Sequence, residues 1–244
     1  MTSRVVERST AMERQFGLLY SPKVHKGVVL LSGGLDSTTV AWIAKEECEE
    51  LYALTILYGQ THKREVDCAR RLAKRLGVAE HKVLQLPLNK LTKSALFGNG
   101  NIPVEGIEEG IPSTWVPQRN SIFLSCAFAW AEVVGADRVY TGVNSVDYSG
   151  YPDCRPEFIA ALNRALNLAS KCFVEGGTGV QIHTPIMNLT KNKIVELGLS
   201  LGVPYQLTTS CYSGRDKACG LCDSCRIRRQ AFLDNGMEDP IEYE

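Results

Sequence analysis

From residue 28 onward, short apolar runs alternate with longer stretches in which apolar residues recur at helical spacing. Val28 to Ser32 opens the series as a buried strand, and Ser37 to Glu47 follows as its helix, with Val40, Ile43 and Ala44 on one face. Leu51 to Tyr58 predicts a second strand. The strongest helical period runs from Thr61 to Leu76 through Val66, Ala69, Leu72, Ala73 and Leu76, and Gly77 ends it as a left-handed cap. His81 to Leu86 predicts a third strand, after which Pro87 to Pro117, rich in Asn, Gly and Pro, reads as irregular. A loop of that length inside a compact domain is usually functional. A helix over about Ser121 to Val134, a strand Arg138 to Gly142, a loop to Arg155 and a helix from Pro156 to about Phe173 come next. A strand Val180 to Thr184 and a helix Lys191 to Leu201 complete the alternation before a cysteine-rich tail.

Strands regularly separated by helices imply an α/β fold: a mainly parallel sheet with helices on both faces. Ligands in such folds bind beyond the carboxyl ends of the strands. That rule brings together the loop after the first strand (Ser32 to Ser37), the loop after the second (Tyr58 to Lys63) and the loop after the strand ending at Gly142. Length sharpens the picture to one domain, residues 27–244, behind an extension of residues 1–26. The 27 basic and 27 acidic residues cancel, which favours a small substrate over nucleic acid. No apolar run is long enough to span a membrane, and the N-terminal stretch resembles neither a secretory signal nor an acid-poor transit peptide, so a cytoplasmic location is expected.

Leu31-Ser32-Gly33-Gly34-Leu35-Asp36-Ser37-Thr38-Thr39 carries the first chemical signal. Two glycines let the backbone turn and bring its amides close to an anion, hydroxyls flank them, and a helix N-terminus follows. The loop is shaped for phosphate. No Lys follows the glycines, so it is not a Walker loop. It resembles the SGGxDS pyrophosphate loop of the PP-loop ATP pyrophosphatases, which cleave ATP between the α and β phosphates and adenylate a substrate oxygen. The second signal is Cys211, Cys219, Cys222 and Cys225, spaced C-x7-C-x2-C-x2-C, which suits a closed structural Zn²⁺ site. An iron-sulfur cluster and unliganded thiols are the alternatives. The other cysteines, Cys48, Cys68, Cys126, Cys154 and Cys172, read mostly as buried packing at helical positions. A third signal is the run Thr141 to Arg155, where Asn144, Asp147, Tyr148, Tyr151, Asp153 and Arg155 crowd one loop. Such residues can stack a flat heterocycle and read its edge, or simply cap turns and pack.

Taken in order, Tyr58-Gly59-Gln60-Thr61-His62, Trp115-Val116-Pro117-Gln118-Arg119-Asn120, the Asp147-to-Arg155 loop and the four-cysteine tail resemble the 7-cyano-7-deazaguanine synthase (QueC) family of the PP-loop superfamily. Gln118, where Gly is expected before Arg-Asn, and the leading residues depart from the pattern. The resemblance implies an adenine-nucleotide α-hydrolase-like fold and a ligase forming carbon-nitrogen bonds. It implies that 7-carboxy-7-deazaguanine and ammonium are converted, with ATP and Mg²⁺, to the nitrile by way of an adenylate and an amide, for queuosine or archaeosine. ATP contacts are expected over Leu31, Ser32, Gly33, Gly34, Leu35, Asp36, Ser37, Thr38, Thr39, Val40 and Ala41, with Ser32, Asp36, Ser37 and Arg119 catalytic. Asn144, Asp147, Asp153 and Arg155 are expected to position the substrate, and His62 is either a phosphate contact or an exposed helix-start residue. A homodimer, without stable nucleic-acid or membrane binding, is implied. A PP-loop tRNA thiolase and a non-enzymatic zinc-knuckle module are the competing readings.

Overall fold

A computed structural model describes residues 23–59, 64–97, 110–144 and 151–244. Most of the expected N-terminal extension, His62 and Asp147 lie outside the described residues. The elements alternate as the apolar pattern requires. They are β1 (Val24–Leu30), α1 (Leu35–Glu47), β2 (Cys48–Leu57), α2 (Arg64–Leu76), β3 (Glu80–Gln85), α3 (Arg119–Val134), β4 (Arg138–Tyr140), α4 (Pro156–Leu168), α5 (Lys171–Val174), β5 (Gln181–His183), α6 (Lys191–Ser200) and α7 (Asp223–Asp234). All strand pairs are parallel, in the order β3-β2-β1-β4-β5. β1 is central, pairing Val28 with Tyr52 of β2 and with Val139 of β4.

Alternation along β1 sends neighbouring side chains to opposite faces. Val29 joins Val40, Ala44, Leu72, Ile194 and Phe232 beneath α1, α2, α6 and α7. Val28 joins Leu54, Leu124, Phe128, Val139 and Ile159 beneath α3 and α4. The sheet is therefore covered on both sides. The strand order reverses at β1, so the crevice outside the carboxyl ends of β1 and β4 is where a ligand is expected.

Several boundaries shift from the sequence reading by two or three residues, and three differences have a visible cause or consequence. β1 begins at Val24, so the sheet starts inside the expected extension. α3 begins at Arg119, two residues early, because Gln118 takes a left-handed turn (φ 59°) and delivers the chain directly into the helix. The helix expected from Pro156 to Phe173 is two helices. Asn167 turns inward, where its amide pairs with both the N–H and the C=O of Val180, and Ser170 donates to Glu132. The Glu132 carboxylate also accepts the Cys172 N–H at the start of α5, and these bonds hold its carboxyl below the usual range.

Candidate active site

The turn between β1 and α1 is built by its own side chains. Ser32 and Ser37 approach to 2.9 Å through their hydroxyls, Ser32 Oγ accepts the Gly34 N–H, and Ser37 Oγ accepts the Ser32 N–H. Gly33 has φ +87°, and a Cβ there would lie 2.5 Å from the Glu65 carbonyl oxygen. Only glycine fits. Gly34 caps α1 with no side-chain hydrogen bond, leaving the positive end of the helix for an anion. At Gly142 a Cβ would lie 3.0 Å from Ser37 N, so this glycine lets the end of β4 pack against the same turn.

A cavity of about 380 Å³ opens over this turn. Leu31, Ser32, Gly34, Leu35, Asp36 and Ser37 line it, together with Thr141, Gly142 and Asn144 beyond β4. Thr38, Thr39, Val40 and Ala41, expected among the nucleotide contacts, are instead fully buried. Thr38 donates to the Gly34 carbonyl, and Thr39 donates to the Leu35 carbonyl and meets the Tyr205 hydroxyl at 2.7 Å. Their place is beneath the cradle, holding it. Lys191 lines the cavity too, and the sequence reading took it only as a helix start. Its Nζ lies 2.8 Å from both carboxylate oxygens of Asp36, a partner 155 positions away that no local pattern reveals.

Opposite the cradle lies an aromatic wall. Tyr58 and Phe123 meet edge-on with ring centroids 5.3 Å apart, and Phe97 backs Tyr58 at 6.0 Å. Arg119, at the first turn of α3, sets its guanidinium carbon 5.9 Å from the rings of both Tyr58 and Tyr151. Thr114, from the long irregular segment, meets the Tyr151 hydroxyl at 2.8 Å. Of the residues expected to hold substrate, Asn144 lines the cavity while its amide donates to the Ile186 and Leu189 carbonyls. Asp153 is buried behind the wall, where one carboxylate oxygen accepts the Asn120 N–H at 2.9 Å and the other has no hydrogen-bond partner among the described residues. Arg155 is exposed at the start of α4, away from the cavity lining. Cys154, expected only to pack, also lines the cavity, and burial pushes its thiol up to about 11. Cys172, expected to be buried, is exposed.

The four tail cysteines converge, with their sulfur atoms all within 4.8 Å of one another. A tetrahedral ion 2.3 Å from each sulfur needs separations of about 3.8 Å, so the group fits a metal with little adjustment. Backbone N–H groups of Ser213 and Cys219 point at the Cys211 sulfur, and that of Cys222 at the Cys219 sulfur. Bonds from Cys222 and Cys225 hold the Cys211 thiol below its usual range while the same contacts raise Cys222 and Cys225, so the group shares its protons unequally. The last two ligands sit at the start of α7, which carries Arg228 to the cavity wall. Arg228 is 2 % exposed; it pairs in bidentate fashion with Asp239 at 2.7 and 2.9 Å and donates to Thr208 and Ser210. The cluster thereby anchors one side of the cavity.

The comparisons with known proteins agree with this construction. The family model described as queuosine biosynthesis protein QueC matches residues 26–236. The 7-cyano-7-deazaguanine synthase of Syntrophobacter fumaroxidans is 52 % identical over 224 residues, covering 89 % of this chain and 96 % of that protein. The protein of the same name from Geotalea uraniireducens is 52 % identical over 220 residues, covering 89 % and 96 %. NMN synthetase from Francisella tularensis superposes with a TM-score of 0.49 at 16 % identity, covering 96 % of this chain and 84 % of that one. With the family model spanning almost all of the sheet, the cavity and the cysteine cluster, the chain belongs to the QueC family.

Proposed function

We propose that this protein converts 7-carboxy-7-deazaguanine and ammonia to 7-cyano-7-deazaguanine at the expense of two ATP. The observation that carries the reading is a phosphate cradle and a guanidinium-bearing aromatic wall sharing one cavity, in a chain 52 % identical to proteins named for that product. A carboxylate is a poor acyl donor. Its oxygen attacks the α phosphorus of ATP, forming an acyl adenylate and releasing pyrophosphate; ammonia then displaces AMP to give the amide. The amide oxygen attacks the α phosphorus of a second ATP, releasing a second pyrophosphate and one amide proton, and loss of AMP with the other N–H proton leaves the nitrile.

Ser32, Ser37 and the N-terminal amides of α1 hold the pyrophosphate and steady its departing charge. Lys191 adds a positive charge at the same place, and Asp36, whose carboxylate is paired with that ammonium here, would exchange it for Mg²⁺, which neutralises phosphate charge when bound. Arg119 meets the substrate carboxylate with its planar fork. Asn144 and Asp153 support the substrate from behind through the backbone they bind, and Asp147 and Arg155 remain assigned to it by family resemblance alone. Cys211, Cys219, Cys222 and Cys225 hold a structural Zn²⁺. A thiol-transferring role fits poorly, because the Cys154 thiol in the cavity stays protonated at neutral pH. Among the described residues no helix is long and apolar enough to cross a membrane; action in the cytoplasm as a homodimer is part of this reading and rests on the family resemblance. ATP-pyrophosphate exchange dependent on 7-carboxy-7-deazaguanine tests the first half-reaction. Exchange without the acid, or none with folded protein and Mg²⁺, overturns it.

A further inference from the structure

We propose that the alcove formed by Tyr58, Phe123, Tyr151 and Arg119 is the subsite of the flat heterocyclic acid, and that Tyr151 makes the site selective for an aromatic ring. The inference rests on the synthase reading of the cavity. It differs from expectations that place the substrate on Asp153 and Arg155, since neither lines the cavity.

Chemistry divides the cavity. Its cradle side offers hydroxyls, helix amides and the Lys191 ammonium, which suit phosphates. A slot of Leu30, Leu54, Ile56 and Val66 beside the strand ends is apolar and adjoins that cradle, which suits the nucleoside of ATP. The side that carries Tyr212 and Arg228 also brings a ring and a cation, but Arg228 is already paired with Asp239, whereas the alcove sets a guanidinium against two tyrosine rings. Arg119 stands 5.9 Å from two tyrosine rings, and among the described residues it forms no ion pair with a carboxylate. A guanidinium on the cavity lining that is held by tyrosines and has no carboxylate ion pair among the described residues is a recognition element for a planar carboxylate. Tyr58 meets Phe97 and Phe123 edge-on, and Tyr151 is held by its hydroxyl contact to buried Thr114 and by Arg119 over its ring. Each ring is held by other groups while remaining on the lining, as a stacking surface requires. The carboxylate of an aromatic acid seated here meets Arg119 while its ring lies against tyrosine.

The test compares Tyr151→Leu, Tyr151→Phe and Phe123→Leu in the full chain. Calorimetry measures binding of 7-carboxy-7-deazaguanine and, separately, of ATP with Mg²⁺; thermal melting checks the fold. Tyr151→Leu and Phe123→Leu are expected to weaken the acid by at least about tenfold, the size of one lost base-aromatic stack. Tyr151→Phe keeps the ring and stays within about threefold, and ATP binding stays within about twofold in all three, as the separate subsites require. Unchanged acid binding in a folded Tyr151→Leu or Phe123→Leu protein overturns the proposal, as does equal weakening of acid and ATP. The two readings fail separately. A wild-type protein that binds the acid through Tyr151 but forms no nitrile retains the alcove and loses the reaction, whereas one that does not bind the acid loses the alcove.

Discussion

At the scale of single residues, the cradle is held by contacts that tolerate little change. Gly33→Ala drives a methyl group toward the Glu65 carbonyl and strains a positive φ, so it is expected to lower the melting temperature and abolish pyrophosphate exchange together. Lys191→Met leaves Asp36 without its partner and the phosphates without an ammonium. It is expected to cut kcat by at least about a hundredfold, a loss typical of removing one charge-stabilising donor, with little change in acid binding by calorimetry. Gln118 is the one non-glycine with positive φ among the described residues, although its side chain accepts a 2.6 Å bond from Ser121. Gln118→Val puts a β-branched residue in that conformation and should cost about 1 to 2 kcal/mol in urea denaturation. Glycine at this position is accommodated without strain. Arg228→Met strands a buried carboxylate on Asp239, for which about 3 to 5 kcal/mol of destabilisation is expected.

Among the elements, α7 and the cysteine cluster form one unit. Cys222→Ser is expected to lower bound zinc, measured by plasma emission spectrometry, and to loosen α7, with faster amide exchange over residues 223–234. A second buried unit ties the end of α1 to β4 and β5. Glu47 accepts the Tyr140 hydroxyl at 2.9 Å and pairs with Arg138 at 3.2 Å, with His183 at 3.7 Å. Burial first, then the Arg138 charge, holds His183 down to about 4. The unfolded chain then binds the His183 proton more readily, so this contribution to stability is full above the ordinary histidine value of about 6.5 and is lost as pH falls toward 4. Burial raises the Glu47 carboxyl, which opposes the loss at the lower end of that range. A melting temperature that falls from pH 7 to pH 5, and falls less in His183→Gln, checks the assignment.

Over the whole molecule, the parts visible in the sequence are those with local causes. The apolar alternation predicted both faces of the sheet, the glycine pair marked the cradle, and the CxxC steps gathered four sulfurs, because each signal lies within a few residues of the structure it produces. Contacts between distant segments were not legible. Lys191 meets Asp36 and Arg119 meets Tyr58 and Tyr151 only through the crossing of separate loops, and Asp153 turns out to hold the start of α3. The helix break at Ala169 and Ser170 likewise depends on Glu132 and Val180. In the proposed reaction those crossings let one cavity serve two activations, the carboxylate first and the amide second. The most direct measurement of that claim is mass-spectrometric identification of the product together with the AMP released. The account predicts 7-cyano-7-deazaguanine with two AMP formed per nitrile; one AMP per product, with the amide as the end point, would contradict it.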